Sequence, residues 1–342
     1  MIVSRTPLRV SFLGGGSDLP VHYRRFGGAV LSASIRKYVY VAVNRRFDNS
    51  IRVSYSKTEE VAHAKDVEHR LVRAALLKLG IDSGIEITSV ADIPSRGTGL
   101  GSSSAFTTSL LHALHAYKGD YRSQADLAAE ACDVEINLCG EPIGKQDQYA
   151  AAVGGVNILR FNPDESVTVE PVVFAPNFIS EFQDSMLLFY TGVTRSASDL
   201  LRNQIDVMGS DDAKSATVRR MAEMTTELRH AIQDNNLAWV GDLLHQAWLL
   251  KQSVTSGITN SVVDEMYAAA RAAGAYGGKL LGAGGGGFLL TCAPRERHDA
   301  LRRALSGYRC LPFHLDWTGT SIIHYTPQDP DPEWPSPQEP GR

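Results

Sequence analysis

Residues Pro94 to Ala105 read Pro-Ser-Arg-Gly-Thr-Gly-Leu-Gly-Ser-Ser-Ser-Ala, a pattern suited to holding phosphate. Gly97, Gly99 and Gly101 occupy alternate positions and keep side chains out of the turn, so backbone N–H groups can approach a ligand. Ser102, Ser103 and Ser104 then open a run in which Phe106, Leu110, Leu111 and Leu114 recur at helical spacing. A glycine turn entering a helix start aims unpaired N–H groups and the positive end of the helix dipole at one place, which makes an anion site. One such contact contributes only about 0.3–1 kcal/mol at an exposed terminus, so several donors must act together. Taken alone, the same residues also fit a glycine-rich loop followed by an ordinary serine N-cap. Two further glycine runs accompany the stretch: Gly14-Gly15-Gly16-Ser17-Asp18 and Gly282-Ala283-Gly284-Gly285-Gly286-Gly287.

Spacing excludes several other nucleotide chemistries. Gly144-Lys145 and Gly278-Lys279 lack both the preceding glycine and the following hydroxyl of a Walker loop. The His-Arg-Asp and Asp-Phe-Gly elements of protein kinases are absent. Gly14-Gly15-Gly16 follows a strand, yet its continuation does not match the dinucleotide fingerprint. Cys132, Cys139, Cys292 and Cys310 are scattered without CxxC or histidine pairing, which indicates neither zinc nor a disulfide framework. A formal net charge of -4 argues against a general nucleic-acid binder, so a nucleotide would need a local cluster of cations and N–H groups.

The elements that must position these groups can be read at coarse grain. With 342 residues, 43% hydrophobic and 21% charged, the chain is expected to form two domains or one large bilobal unit. Strands are expected at Leu8–Leu13, within Ala29–Val43 and at Ile85–Val90, with a helix from about Val67 to Leu79 ended by Gly80. A second helix, capped by Ser123, is expected over Gln124 to Leu138. The pattern loosens around Pro171–Asp184, which sets the expected boundary between domains at 1–175 and 176–325. Beyond it come a strand at Ser185–Tyr190, helices at Ser196–Met208, Ala213–Asp234, Leu237–Val254 and Ser261–Ala273, and a strand at Phe288–Cys292. Residues 326–342, rich in proline and without apolar periodicity, are expected to be a disordered tail. The first residues carry no signal-peptide pattern and no apolar run reaches spanning length, so a cytoplasmic location without membrane contact is expected.

Three separated segments together carry a family resemblance: Thr6–Asp18, Gly97–Ala105 and Leu281–Phe288. In order and spacing they resemble the galactokinase, homoserine kinase, mevalonate kinase and phosphomevalonate kinase (GHMP) superfamily, over roughly Ile2 to Tyr325. The resemblance implies a two-lobed α+β fold, with a left-handed β-α-β unit in the N-terminal ATP-binding lobe and a ferredoxin-like C-terminal lobe. It implies ATP and Mg²⁺ as cofactors, with Gly97, Gly99, Leu100, Gly101, Ser102, Ser103 and Ser104 around the ATP phosphates. Ser103 and Glu135, twelve residues before Asp147, are the implied Mg²⁺ ligands. A hard cation suits a hydroxyl and a carboxylate. Asp147 resembles the family's catalytic aspartate and Arg9 the basic residue that steadies it or the transferring phosphoryl group.

Within the superfamily, Gly14–Pro20 and Phe26–Leu31 most resemble the heptose 7-phosphate kinases, which phosphorylate the anomeric C1 oxygen. Gly144–Tyr149 and Phe189–Arg195 point the same way. An octose 8-phosphate 1-kinase would fit these features too. The Gly-Glu-His of galactokinases is missing. The acceptor is then expected to meet Gly15, Gly16, Ser17 and Asp18 from the first segment and Gly284 and Gly285 from the third. Lys145 and Arg195, with Arg24 and Arg25 behind them, are the candidates for its distal phosphate, arginine as a bidentate fork and lysine as a point charge. The rival from another class is a catalytically silent nucleotide- or sugar-sensing protein, and retention of Arg9, Ser103, Glu135 and Asp147 favours the enzyme. The expected partner is a small-molecule sugar phosphate. A homodimer is compatible with the sequence, but no stretch specifies one.

Overall fold

The computed structural model describes residues 1–94, 97–193 and 197–326. The N-terminal part runs β1 (Ile2–Leu13), α1 (Pro20–Phe26), β2 (Gly28–Arg45), β3 (Ile51–Ser54), β4 (Thr58–Val61), α2 (Arg70–Lys78), β5 (Ile85–Ala91), α3 (Ser102–Tyr117), α4 (Gln124–Cys132), α5 (Gln146–Val153), β6 (Val156–Phe161) and β7 (Val167–Pro171). Then follow α6 (Phe178–Asp184), β8 (Met186–Tyr190), α7 (Ala197–Ser210), α8 (Asp212–Gln233), α9 (Leu237–Val254), α10 (Ser261–Ala272), β9 (Gly277–Leu280), β10 (Phe288–Cys292), α11 (His298–Ala304), β11 (Cys310–Pro312) and β12 (Ser321–Tyr325).

Among the described residues the strands form two sheets. The larger has eight, ordered β12-β1-β2-β5-β3-β4, with β6 also on β2 and β7 on β6. The long β2 makes this possible: Val39–Arg45 pairs with β5 while Gly28–Ala33 pairs with β6. Its pairings are antiparallel except β3 with β5, the parallel pair whose crossover carries α2. The smaller sheet is antiparallel, ordered β11-β8-β10-β9. Counting from β8, that is order 4-1-3-2, with α7 to α10 in the first crossover and α11 in the second, the ferredoxin-like arrangement the sequence implied.

One hydrophobic core joins the sheets: Val10 and Leu31 from the large one, Leu188 and Leu290 from the small one, and Leu228 and Leu243 from α8 and α9 belong to a single cluster. The last strand was not expected from the sequence. β12 returns to the large sheet and pairs with β1, Ile2 opposite Tyr325, so the chain closes the sheet with which it began. The proline-rich segment beyond Thr326 lies outside the described residues.

Candidate active site

Gly97, Gly99 and Gly101 all have positive φ, between 68° and 75°, conformations that glycine adopts without a Cβ penalty. Gly101 is the N-cap of α3, and the first main-chain bond of that helix is Ala105 N–H to the Gly101 carbonyl, 2.9 Å. The N–H groups of Ser102, Ser103 and Ser104 therefore have no main-chain partner among the described residues. They border a cavity of about 250 Å³. The third glycine run locks against this loop. A Cβ on Gly99 would lie 2.4 Å from the Leu281 carbonyl oxygen, and one on Gly282 would lie 2.5 Å from the Gly99 Cα. Absent side chains are what let the two loops touch.

Arg9, on β1, is almost fully buried and clamps Asp147 through two parallel bonds. Nε donates to Oδ1 at 2.7 Å and Nη2 to Oδ2 at 2.6 Å, while Nη1 donates to the Gly99 carbonyl at 2.6 Å. Bidentate arginine–carboxylate pairs fix orientation as well as adding energy. Asp147 sits in the first turn of α5 with its side chain 24% exposed, half-open to the cavity it lines. Asp18 is buried at the end of the first glycine run. Its carboxylate accepts from Gly16 N–H at 3.0 Å, Gln146 N–H at 3.3 Å and the Gln146 side-chain amide at 3.0 Å. Burial, and then the Asp147 charge, push the Asp18 carboxyl above the usual carboxylate range.

Glu135 lies behind the serines. The helix expected over Gln124 to Leu138 is α-helical only to Cys132, and Asp133–Leu138 is a π-helical turn that carries Glu135 inward. Its carboxylate accepts from Ser103 Oγ at 2.9 Å, Ser104 Oγ at 2.6 Å, Thr107 Oγ1 at 3.1 Å and the Gln148 amide at 2.5 Å. Burial raises this carboxyl, and the serine and glutamine donors oppose the rise. Ser103, unlike its neighbours, is exposed at the cavity wall.

The expected residues do not all converge. Arg9, Gly15, Gly16, Asp18, Gly97, Gly99, Gly101, Ser102, Ser103, Ser104 and Asp147 line the one cavity. Leu100 is buried beneath the loop, its carbonyl receiving Arg9 N–H at 3.0 Å. Ser17 is also buried and bonds both main-chain groups of Ala29, bracing the turn. Gly284 and Gly285 pack on Ile258, where the Gly285 N–H meets the Ile258 carbonyl at 2.8 Å, and they do not line the cavity. Lys145 turns away: its ammonium sits 4.8 Å over the Tyr23 ring and bonds Glu165 Oε2 at 2.6 Å. Arg24 pairs with the same glutamate and Arg25 with Asp212, both on the surface. Arg195 lies outside the described residues.

Sequence reasoning missed Ser11, Gln204, Lys251 and Lys279, which also line the cavity. Gln204 of α7 fills the space a side chain at Gly16 would take, its Nε2 only 2.4 Å from that missing Cβ. Lys279 donates to the Ser11 and Phe12 carbonyls, each at 2.9 Å. Lys251 donates to the Gly282 carbonyl. Burial lowers both lysines, Lys251 to about 8 and Lys279 well below its ordinary value.

Two family patterns match the chain. The family pattern for the GHMP kinases N terminal domain matches residues 63–155, and that for the GHMP kinases C terminal matches residues 228–309. The chain belongs to the GHMP kinase family. It is 27% identical over 325 residues to the D-glycero-alpha-D-manno-heptose 7-phosphate kinase of Campylobacter jejuni, covering 90% of this chain and 94% of that one. The mevalonate kinase of Pyrococcus horikoshii is 26% identical over 313 residues, covering 89% and 84%. In structure the chain resembles a D-glycero-D-manno-heptose 1-phosphate kinase from Bacteriodes thetaiotaomicron, with TM-score 0.77, 23% identity and coverage of 96% and 100%. No helix among the described residues is long and apolar enough to cross a membrane.

Proposed function

We propose that the protein transfers the terminal phosphoryl group of ATP to the anomeric C1 hydroxyl of a sugar phosphate, D-glycero-D-manno-heptose 7-phosphate being the favoured acceptor. The observation that carries this reading is the Arg9–Asp147 clamp, set beside Gly101 of the phosphate loop in a cavity shared with Asp18. Phosphoryl transfer asks a protein chiefly for positioning and for neutralisation of charge. The unpaired N–H groups of Ser102, Ser103 and Ser104 hold the nucleotide's phosphates at the start of α3. Asp147 accepts the proton of the attacking hydroxyl at a carboxylate oxygen, and Arg9 fixes the direction in which that oxygen points. Asp18, with Gly15 and Gly16 beside it in the cavity wall, contacts the acceptor's hydroxyls.

The Ser103 hydroxyl at the cavity wall and, behind it, the Glu135 carboxylate, 2.9 Å away and already accepting four donors, are the hard oxygen groups that would hold Mg²⁺. When bound there, Mg²⁺ supplies charge neutralisation at the phosphates. Lys145 contributes from outside the cavity by anchoring the loop before α5 to Glu165. The test is Asp147→Ala. We expect kcat to fall about 10²–10⁴-fold, with the Kd for ADP within a factor of a few of wild type. Normal turnover in that variant would remove Asp147 from the role of base.

A further inference from the structure

The charged side chains that line the cavity can be accounted for one by one. Arg9 and Asp147 are paired with each other by two bonds, and Arg9 also donates to the Gly99 carbonyl. Glu141 receives Arg70 at 2.9 Å, and Asp18 is held by its three N–H donors. Lys279 spends its ammonium on two main-chain carbonyls and so straps β9 to β1. Lys251 differs. It is 7% exposed, it lines the cavity, and its ammonium has one acceptor among the described residues, the Gly282 carbonyl. An ammonium carries three donors, so two remain for whatever the cavity holds.

The placement is built into the fold. α9 is drawn onto β9 at Gly241 and Gly277, where a Cβ on Gly277 would lie 1.9 Å from the Gly241 carbonyl oxygen. Lys251 falls on the same buried stripe of α9 as Leu244, Ala247, Trp248 and Val254, where an apolar residue would cost nothing in desolvation. Burial disfavours the charged form, and the Arg9 guanidinium disfavours it further, opposed by Asp18. An anion bound in the cavity reverses that balance.

We propose that Lys251 is a phosphoryl-binding residue. Its ammonium, tethered through Gly282 to the third glycine loop, takes a non-bridging oxygen of a phosphoryl group held in the cavity it lines. The proposal rests on the phosphotransfer reading above. The contact is a charge-assisted hydrogen bond, and no bond to the lysine forms or breaks. Two sources supply such a group, the terminal phosphate of the nucleotide and the acceptor's own phosphate.

The experiment uses the full chain with Lys251→Met and Lys251→Arg. The readouts are calorimetric Kd values for ADP, for β,γ-imido ATP and for heptose 7-phosphate, together with kcat, KM and melting temperature. We expect Lys251→Met to lose at least about tenfold in binding one phosphorylated ligand, as removal of a charged hydrogen bond does. Its melting temperature should be unchanged or higher, and Lys251→Arg should recover part of the affinity. A loss for imido ATP that spares ADP names the nucleotide's terminal phosphate; a loss confined to the sugar phosphate names the acceptor's. Wild-type affinities for all three ligands in Lys251→Met overturn the proposal. So does a loss in both variants that merely follows a lowered melting temperature. Because binding is read without turnover, a wild-type enzyme that phosphorylates no sugar phosphate would contradict the acceptor assignment and leave the lysine result to stand on imido ATP and ADP.

Discussion

At the scale of residues, the cavity is a set of charges held against their preference for water, and each is matched to a partner or a task. Arg9 and Asp147 are matched to each other by two bonds of 2.7 and 2.6 Å. Truncating one partner of a buried pair leaves the other uncompensated, which costs about 3–5 kcal/mol. Both Arg9→Ala and Asp147→Ala are therefore expected to lower melting temperature as well as kcat, Asp147→Ala the more in stability because it strands the more deeply buried charge, the Arg9 guanidinium. Lys251 predicts the opposite trade. Its ammonium is lowered to about 8 from 10.5, by burial first and Arg9 second. Below pH 8 the folded and unfolded chains both hold the proton, and the full cost of burying the charge is present. Between pH 8 and 10.5 the unfolded chain holds more protons, so this residue makes stability rise with pH. Lys251→Met should thus exceed wild type in stability at pH 7 by roughly 1–3 kcal/mol, after allowing for the lost bond to Gly282. That advantage should shrink as the pH passes through 8 to 10.5. Denaturant midpoints of both proteins across this range check it, and an advantage that grows with pH would contradict the sign.

At the scale of elements, the site is two glycine loops in contact, one entering α3 and the other joining β9 to β10. Gly99 has φ +75° and its missing Cβ would sit 2.4 Å from the Leu281 carbonyl oxygen. Gly99→Ala adds both a strained conformation, about 1–3 kcal/mol, and a clash with main chain. We expect it to reduce nucleotide affinity and stability together. Gly80→Ala is the control: its φ is +67°, but nothing lies within 4 Å, so it should cost stability and spare nucleotide affinity. Equal nucleotide affinities in the two variants would show that contact between the loops is not what shapes the phosphate site. Much of this was legible in the sequence, because glycine spacing and helix starts are local signals. The α3 start, the Ser123 cap and the helices α8, α9 and α10 all lie within a residue or so of where local sequence signals put them. The site's second layer was not legible. Nothing in Asp133–Leu138 announces a π-helical turn, and the four donors that meet Glu135 come from α3 and α5 rather than from its own segment. Lys145 sat in the right motif, but Glu165, distant in sequence, decides which way it points. Lys251 did leave a signal, a lysine in phase with the apolar stripe of α9, and it passed unread because lysines on helices usually face water.

At the scale of the whole molecule, two sheets of different topology share one core. The 4-1-3-2 order of the small sheet follows the implied C-terminal lobe, and β12, the last described strand, pairs with β1, the first. Helices α8 and α9 contribute to the core that both sheets share, so neither sheet buries its apolar face alone. Heating should therefore give one cooperative transition with calorimetric and van't Hoff enthalpies equal. Two resolved transitions would mean that the lobes hold together less tightly than their common core implies. We propose that a phosphoryl group crosses the cavity from ATP to the anomeric oxygen of a sugar phosphate. The direct measurement is phosphorus NMR of reactions with MgATP and, in turn, heptose 7-phosphate in both anomers, octose 8-phosphate, hexose 6-phosphates and free galactose. The account predicts a new C1 phosphomonoester on heptose 7-phosphate, lost in Asp147→Ala. Transfer to free galactose alone, or none to any sugar while ATP still binds, would contradict it.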